Sequence, residues 1–285
     1  MELSVGLLSS PLVESIIDLA LLEDAPFGDV TVGISGLDDA VIQADIIAQE
    51  KCVIAGLPVL VAVFKKTDPG VLVDTHVSDG EAVDPGMVVA SVHGNAGPIL
   101  TAERTALNFL QRLSGIATLT RKFKEELKGT DTILLPTRKT TPGHRVIERY
   151  AVFVGGGRMH RASLSDGILI KDNHIAAAGG LVQSVRLARL TGPWTLKVEV
   201  EVTTLEEVRD AVDAGADIIM FDNMSPEQVQ EACRLCPPNV LTEASGGITL
   251  DTARKYAEAG VNAVSVGILT HSSRAIDFSM EIERT

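Results

Sequence analysis

The second half of the chain alternates between short apolar runs and amphipathic segments, and this alternation restricts the fold more than any other feature. Apolar runs at 133–135, 167–171, 195–202, 217–222, 240–245 and 263–269 predict strands. The segments between the later runs predict helices over Leu205–Ala214, Pro226–Leu235 and Leu250–Ala259. Repeated strand–helix units of this length imply a parallel sheet that curls through right-handed crossovers. The sequence therefore predicts an incomplete βα (TIM-like) barrel.

The first half of the chain has a different pattern. Residues 41–94 contain β-branched runs separated by turns, which predict antiparallel strands with a helix over 58–64 between two of them. A helix over 10–22, capped by Ser9 or Ser10, precedes them. Residues 101–128 predict two helices that are separated at Ser114-Gly115. We expect an α/β fold with an N-terminal α/β sandwich domain over 1–113, the barrel over 114–271, and a C-terminal segment, 272–285, that joins the first domain.

Composition limits the classes of function. The 285 residues are 45% hydrophobic, which is enough for a packed core, and the formal net charge of −13 argues against nucleic acid as a partner. No apolar run has the length of a membrane span and the first residues lack the features of a signal peptide, so we expect a cytoplasmic protein with no membrane partner. The lone pair Cys233 and Cys236 favours reduced structural cysteines over a zinc site.

Basic residues cluster between 136 and 174 although the chain as a whole is acidic. Arginine forks and lysines near a Gly-Gly-Gly turn suit carboxylate or phosphate ligands, because glycine also lets backbone N–H groups approach an anion. A solvated basic face is the simpler alternative. The cluster consists of Arg138, Lys139, His144, Arg145, Arg149, Arg158, His160, Arg161, Lys171 and His174, against the local acids Glu148, Asp166 and Asp172.

In a βα barrel the functional groups lie where the strands end. The predicted strands end in Arg138 and Lys139, in 171–174, in Glu199 and Glu201, in Asp222, in Ser245, Gly246 and Gly247, and in Gly267 followed by His271. Lys197, Glu199 and Glu201 share one face of their strand, which predicts that they point into the barrel. Glu201 and Asp222 are then candidate ligands for Mg²⁺, unless Lys197 neutralises a glutamate and leaves a purely structural cluster.

The glycines after the fifth strand of the barrel suit a phosphate group. Gly246 and Gly247 clear space, and the helix that begins near Thr249 directs its N–H groups outward. Together with Gly267 at the end of the adjacent strand, they predict a phosphate-binding pair of strands.

Several of these motifs resemble the quinolinate phosphoribosyltransferase family. The resemblance is strongest in TRKTTPG, in GGG followed by HR, and in LSDGILIKDNH, and it extends to the segments ED…GDVT, EASGGI and VGILTHS. It covers nearly the whole chain, from Glu23 to Ser272. Three positions depart from the family's usual residues, namely Pro136 for Asp, Phe153 for Arg and Met159 for Asn.

The resemblance implies transfer of a phosphoribosyl group from phosphoribosyl pyrophosphate to quinolinate with decarboxylation, as in NAD biosynthesis. It implies that Arg138, His160, Arg161 and Lys171 bind substrate and that Lys139, Lys171, Glu201 and Asp222 are catalytic, with Mg²⁺ on the two acids. Phosphate would be bound by Ser245, Gly246, Gly247, Gly267 and His271. Arg104 lies in the first turn of its predicted helix, where a cation is unfavourable, and in the family the matching arginine reaches the neighbouring subunit's site. We therefore expect a homodimer, or a higher oligomer of dimers.

Two other functions remain open at this stage. A pyrophosphorylase-like paralogue associated with molybdate transport shares this architecture and often lacks the Asp before TRK, as here. A non-catalytic barrel that binds an anionic metabolite would need the basic pocket but would bind better without the two acids.

Overall fold

A computed structural model describes residues 10–37 and 40–282 of the chain. The chain forms two compact units, of which the N-terminal unit comprises Met1–Arg121, Thr140–Gly156 and Ser272–Thr285, and the barrel unit comprises Lys122–Lys139 and Gly157–His271. The N-terminal unit thus takes in residues 114–121 and 140–156, which we had placed in the barrel domain. No helix among the described residues has the length and apolar character needed to cross a membrane.

The N-terminal unit contains a four-stranded antiparallel sheet in the order β12-β1-β5-β3. Strand β12 comes from the end of the chain and pairs with β1 from Ala44↔Ile282 to Ala48↔Phe278. A second, two-stranded sheet joins β2 to β4. The strands are β1 (Val41–Ala48), β2 (Cys52–Val53), β3 (Leu72–Thr75), β4 (Ala82–Val83), β5 (Val88–Asn95) and β12 (Phe278–Ile282).

Local capping explains the first helices of this unit. The helix Pro11–Asp24 begins after Ser10, whose hydroxyl accepts a hydrogen bond from the N–H of Leu12 at 3.3 Å. Ser9, the alternative cap, lies outside the described residues. Asp29 caps the short helix Val30–Ser35. The helix Leu57–Thr67 confirms the predicted helix in this region and is longer at both ends.

A single long helix, Ala96–Glu126, replaces the two helices predicted over 101–128. The predicted break at Ser114-Gly115 is wrong. Ser114 hydrogen-bonds to the backbone of Ala55, and a Cβ on Gly115 would lie 1.9 Å from the carbonyl oxygen of Arg274, so this pair serves close packing. Because the helix begins at Ala96, Arg104 lies in its third turn. The prediction that Arg104 lies in the first turn, where the helix dipole disfavours a cation, is therefore also wrong.

The barrel unit is built on six parallel strands in the order β6-β11-β10-β9-β8-β7. The two edge strands, β6 and β7, do not pair with each other among the described residues, and the predicted incomplete βα barrel is confirmed. The strands are β6 (Ile133–Pro136), β7 (Ile168–Ile170), β8 (Val198–Val202), β9 (Ile218–Asp222), β10 (Leu241–Ser245) and β11 (Ala263–Val266).

The helices between the later strands follow the sequence signals closely. Those over Leu205–Ala214 and Pro226–Leu235 have the predicted bounds, and the third spans Leu250–Glu258. Capping boxes at Thr204, Ser225 and Thr249 begin them. The predicted strand over 263–269 instead ends at Val266 and is followed by the short helix Ile268–His271. Four further helices among the described residues had not been predicted: Val30–Ser35 and Arg145–Val154 in the N-terminal unit, and Asp172–Ala178 and Leu181–Thr191 in the barrel.

Candidate active site

A cavity of about 550 Å³ opens at the carboxyl ends of the barrel strands. This volume is typical of a site for a small molecule. Five cationic and three acidic side chains line it. They are Arg138, Lys139, His160, Arg161 and Lys171 on the cationic side, and Glu201, Asp222 and Glu243 on the acidic side.

The loop after β6 carries two of the cations. The hydroxyl of Thr137 accepts a hydrogen bond from the N–H of Lys139 at 3.1 Å, and the carbonyl oxygen of Lys139 accepts one from the hydroxyl of Thr270 at 2.7 Å. Thr270 is fully buried in the short helix after β11. The first bond closes a turn around Arg138 and the second ties this turn to the helix after β11, and Arg138 lines the cavity.

A tight loop before β7 positions Arg161. Its guanidinium donates to the carbonyl oxygen of Gly167 at 3.1 Å, while the carboxylate of Asp166 accepts from the N–H groups of Ala162 and Ser163 at 2.7 and 2.8 Å. Burial alone would raise the pKa of Asp166, but these hydrogen bonds outweigh it and lower the pKa. Burial, together with the charge of Arg138, lowers the pKa of Arg161.

His160 lies between two buried carboxylates. Its Nε2 atom is 3.4 Å from Oε2 of Glu199 and 3.4 Å from Oε2 of Glu243. Burial alone would lower the pKa of His160, but the hydrogen bonds and charges of both glutamates outweigh it and raise the pKa to about 10. Burial also raises the pKa of Glu199, although the hydrogen bond from His160 opposes that shift. The raised pKa favours the protonated ring, whereas the backbone N–H of Arg161, which donates to Nδ1 at 2.8 Å, favours the neutral ring with its proton on Nε2.

Glu201 and Asp222 end neighbouring strands and both line the cavity. The carboxylate of Glu201 forms an ion pair with Lys171, and that of Asp222 accepts a hydrogen bond from the side chain of Asn223 at 2.7 Å. Lys197 is exposed. It lines a cavity of the barrel unit together with Glu199, as its predicted inward orientation requires, but the partners of Glu199 and Glu201 are His160 and Lys171.

The turn after β10 has a backbone that favours glycine. Gly246 and Gly247 have φ angles of 92° and 61°, in the left-handed region. A Cβ on Gly246 would lie 2.3 Å from Oδ1 of Asn223, so a side chain there would collide with the neighbouring strand end. With Ser245, these glycines line the cavity just before the helix Leu250–Glu258.

Not every predicted site residue lines this cavity. Gly267 and His271 lie beside it, since a Cβ on Gly267 would be 3.1 Å from the His271 ring and 3.3 Å from Cδ of Lys139. Arg104 is an exposed residue of the N-terminal unit. The basic cluster between 136 and 174 is also divided. Its members His144, Arg145 and Arg149 belong to the N-terminal unit, while Arg158 and His174 are exposed in the barrel unit.

Sequence reasoning missed Glu243. A signal was present, because Glu243 lies two residues before Ser245 on the same strand and side chains alternate with a period of two. A strand that turns Ser245 toward the cavity must turn Glu243 the same way. The same argument applies to Ser265, two residues before Gly267, which also lines the cavity.

Two groups of side chains offer ligands for a metal ion. Glu201 and Asp222 supply two carboxylates at one rim of the cavity, a donor set that suits Mg²⁺ when substrate phosphates complete its coordination. His160, Glu199 and Glu243 have donor atoms within 4.8 Å of one another. In this second group, Nε2 of the histidine faces both carboxylates at hydrogen-bonding range, which describes a buried ion cluster.

Comparison with known proteins identifies the family. The model of the quinolinate phosphoribosyl transferase C-terminal domain matches residues 116–281, and the model of the N-terminal domain of the same family matches residues 29–114. The chain belongs to the quinolinate phosphoribosyl transferase family. This result confirms the resemblance that the motifs carried.

Relatives and solved structures agree with this assignment. A probable nicotinate-nucleotide pyrophosphorylase (carboxylating) of Bacillus subtilis is 42% identical over 95% of this chain and 93% of its own length. The crystal structure of NadC from Streptococcus pyogenes is 39% identical and superposes with a TM-score of 0.91 over 95% of this chain and 96% of that one. The nicotinate-nucleotide pyrophosphorylase from Francisella tularensis is 37% identical, with a TM-score of 0.92 over 97% and 99% of the two chains.

As a member of the quinolinate phosphoribosyl transferase family, the chain is an enzyme, which decides against a barrel that only binds anions. The three departures from the family's usual residues lie in different places. Pro136 lines the active-site cavity. Met159 lines a second cavity of about 330 Å³ in the same barrel unit, which shares the lining residues His160, Arg161 and Glu243 with the active-site cavity. Phe153 is 39% exposed on a helix of the N-terminal unit. Of these three residues, Pro136 alone lines the active-site cavity itself.

Proposed function

We propose that this chain transfers the 5-phosphoribosyl group of phosphoribosyl pyrophosphate to quinolinate, with loss of pyrophosphate and CO₂, to give nicotinate mononucleotide. The observation that carries the proposal is the cavity with five cationic side chains at the carboxyl ends of the barrel strands. Both substrates are anions, and relatives of this chain are called carboxylating nicotinate-nucleotide pyrophosphorylases. The reaction belongs to the synthesis of NAD.

Quinolinate carries two adjacent carboxylates that repel each other. A site that binds them out of water must supply at least as much positive charge. We assign this role to Arg138, His160, Arg161 and Lys171. Arg138 and Arg161 are close enough that the charge of one lowers the pKa of the other, and a dicarboxylate between them would relieve that repulsion.

The phosphates of the second substrate fit the part of the cavity that is lined by the turn after β10. Ser245, Gly246 and Gly247 form a turn with space and backbone N–H groups before a helix, an arrangement that binds phosphate. Lys139 and His271 both lie beside Gly267, so we assign these three residues to the phosphoribosyl pyrophosphate as well.

Mg²⁺ is the metal that we propose, with Glu201 and Asp222 as its protein ligands. Mg²⁺ prefers one or two carboxylates together with substrate phosphates. It would neutralise charge on the pyrophosphate as that group leaves. The ion pair with Lys171 occupies part of the Glu201 carboxylate, so Lys171 and the metal would share this acid.

The residues assist two steps. In the first, the pyridine nitrogen forms a bond to C1 of the ribose while the bond from C1 to the pyrophosphate oxygen breaks, through an oxocarbenium-like state. Lys139 and Lys171 stabilise the developing negative charge electrostatically. In the second, the bond between C2 and its carboxylate breaks and the electron pair remains on C2, which then takes up a proton. The adjacent cations stabilise that carbanion.

We further propose a homodimer, or an oligomer of dimers, in which the partner subunit's Arg104 completes each site. Arg104 is exposed on a long helix and makes no ion pair within residues 10–37 and 40–282, and two-fold symmetry would make both sites equivalent. The cytoplasmic location stays a prediction, which subcellular fractionation would test.

The proposed function is tested by product formation from quinolinate, phosphoribosyl pyrophosphate and Mg²⁺. We expect stoichiometric release of pyrophosphate and of CO₂ from carboxylate-labelled quinolinate. Binding of both substrates without release of pyrophosphate would contradict the proposal. Turnover of a different heterocycle without CO₂ release would favour the paralogues associated with molybdate transport.

A further inference from the structure

An acidic side chain lines a cavity that otherwise presents positive charge to an anionic substrate. Glu243 lies in the middle of the barrel sheet, paired with Met220 on β9 and Ala263 on β11, and it is only 3% exposed. Glu199, on β8, is only 4% exposed and faces the same histidine. An acid at this place weakens anion binding by direct charge repulsion, so its presence needs a reason.

The arrangement is also costly for the fold. Buried carboxylates are expensive unless they are paired and hydrogen-bonded. Each of the two glutamates has one buried oxygen, Oε1, with no hydrogen-bond partner among residues 10–37 and 40–282. The other oxygen of each, Oε2, faces the same atom, Nε2 of His160. Two acids held against one imidazole nitrogen at this cost indicate a role in the site rather than in stability.

The two glutamates restrict the rotation of the His160 ring by their contacts with Nε2. Because both carboxylates approach Nε2, rotation of the ring about its bond to Cβ would break both contacts at once. The backbone N–H of Arg161 lies 2.8 Å from the other ring nitrogen, Nδ1. The ring is thus contacted at both nitrogens, and the side chain is only 16% exposed. His160 also lines the active-site cavity.

We propose that Glu243, acting together with Glu199, is a positioning residue that fixes the orientation of His160 for a substrate carboxylate. The inference rests on the proposed function, since the anion that His160 meets in the cavity is the pyridine dicarboxylate. Glu243 contacts His160 and not the substrate. Its repulsion of the anionic substrate is accepted in exchange for a His160 ring that is held in one orientation at Nε2.

The test compares Glu243→Gln and Glu243→Leu in the full-length enzyme. Glutamine can still accept a hydrogen bond from Nε2, whereas leucine cannot. A hydrogen bond between charged groups is worth about tenfold to a hundredfold in an equilibrium constant, so we expect the KM for quinolinate to rise about tenfold in E243Q and about a hundredfold in E243L. The KM for phosphoribosyl pyrophosphate should change by less than about twofold.

Thr242→Val serves as the matched control. Thr242 is the neighbouring residue on the same strand, is similarly buried at 5% exposure, and by strand alternation faces away from Glu243. Its hydroxyl contacts Asn262 instead of the site. This variant reports the effect of a buried polar substitution on β10 without a change at His160, and its KM for quinolinate should match that of the wild type.

A direct readout of His160 separates positioning from general damage. In enzyme labelled with ¹⁵N-histidine, the wild type and T242V should give one sharp pair of ring signals for His160, assigned by its loss in His160→Gln. E243L should broaden or split this pair. If E243L does not fold, E243Q must show the same change in smaller degree. Unchanged His160 signals in folded variants, or equal rises in both KM values, would overturn the proposal.

Two further outcomes are distinguishable. Stoichiometric metal that survives chelation in the wild type and is lost in E243Q would assign the cluster to a metal ion and overturn the positioning role. If the wild-type enzyme does not turn over or bind quinolinate, the proposed function fails. The ¹⁵N signals of His160 then still decide whether Glu243 fixes the ring.

Discussion

The ammonium group of Lys171 forms an ion pair with the carboxylate of Glu201. The two residues directly follow the last register pair of β7 and β8, Ile170↔Val200, so the parallel pairing of these strands brings them together. Two residues that we had assigned to different tasks, substrate binding and metal binding, are therefore in contact. A change to either one should affect both tasks.

This contact predicts non-additive losses of activity. Lys171→Met and Glu201→Gln should each lower kcat/KM by about a hundredfold or more, because each removes electrostatic stabilisation at the reacting groups. The double variant should lose less than the product of the two, since residues in contact couple. Steady-state kinetics of the four enzymes measure this, and fully multiplicative losses would show that the two side chains act independently.

Metal dependence gives the second prediction. Chelation should abolish turnover and added Mg²⁺ should restore it, whereas Asp222→Asn should require a higher Mg²⁺ concentration for half-maximal rate. Asn223→Ala provides a control, because Asn223 donates to Asp222 but offers no carboxylate. Full activity in the presence of excess chelator would show that Glu201 and Asp222 do not bind a required metal ion.

The composite site gives the third prediction. An Arg104→Ala subunit and a Lys171→Ala subunit should each form an inactive homodimer. Their mixture should regain activity, because each heterodimer contains one site with neither change. The rate of a statistical mixture should approach about a quarter of the wild-type rate by simple counting of sites. Two folded variants that mix without any recovery would show that Arg104 acts within its own subunit or not at all.

The fourth prediction concerns stability and pH. The pKa of His160 is raised from its ordinary value of 6.5 to about 10 in the folded chain, so folding favours the protonated ring. Its contribution to stability is full below about pH 6.5 and is lost as the pH rises through about 10. The free energy of unfolding of wild type minus that of His160→Gln, from urea titrations, should therefore fall between pH 7 and 10. A difference that does not change with pH would contradict the raised pKa.

Local signals explain what the sequence could predict. The helices at 205–214 and 226–235 were predicted with their bounds because capping boxes and apolar periodicity lie within the segments themselves. The cavity residues at the strand ends were found because a parallel barrel places such residues at one end.

Tertiary contacts explain what the sequence could not predict. Gly115 indicated a helix break, but it lies inside a continuous helix because the backbone of Arg274, far along the chain, approaches it. The basic residues at 144–149 fall in a different unit from Arg138 and Arg161, which their spacing in the sequence does not reveal. The partner of Glu199 is His160 and not Lys197, because the fold brings His160, which lies far away in the sequence, next to this strand.

Substrate choice tests the central claim most directly. Nicotinate has one carboxylate, so a site with cations for two carboxylates leaves some of its cations unpaired around nicotinate. Each unpaired buried group costs about 1–3 kcal/mol. The measurement is kcat/KM for quinolinate against nicotinate at fixed phosphoribosyl pyrophosphate and Mg²⁺. We predict a preference for quinolinate of at least about a hundredfold. Equal values for the two acids, or turnover of another heterocycle alone, would contradict the account and make Pro136 the first residue to revert.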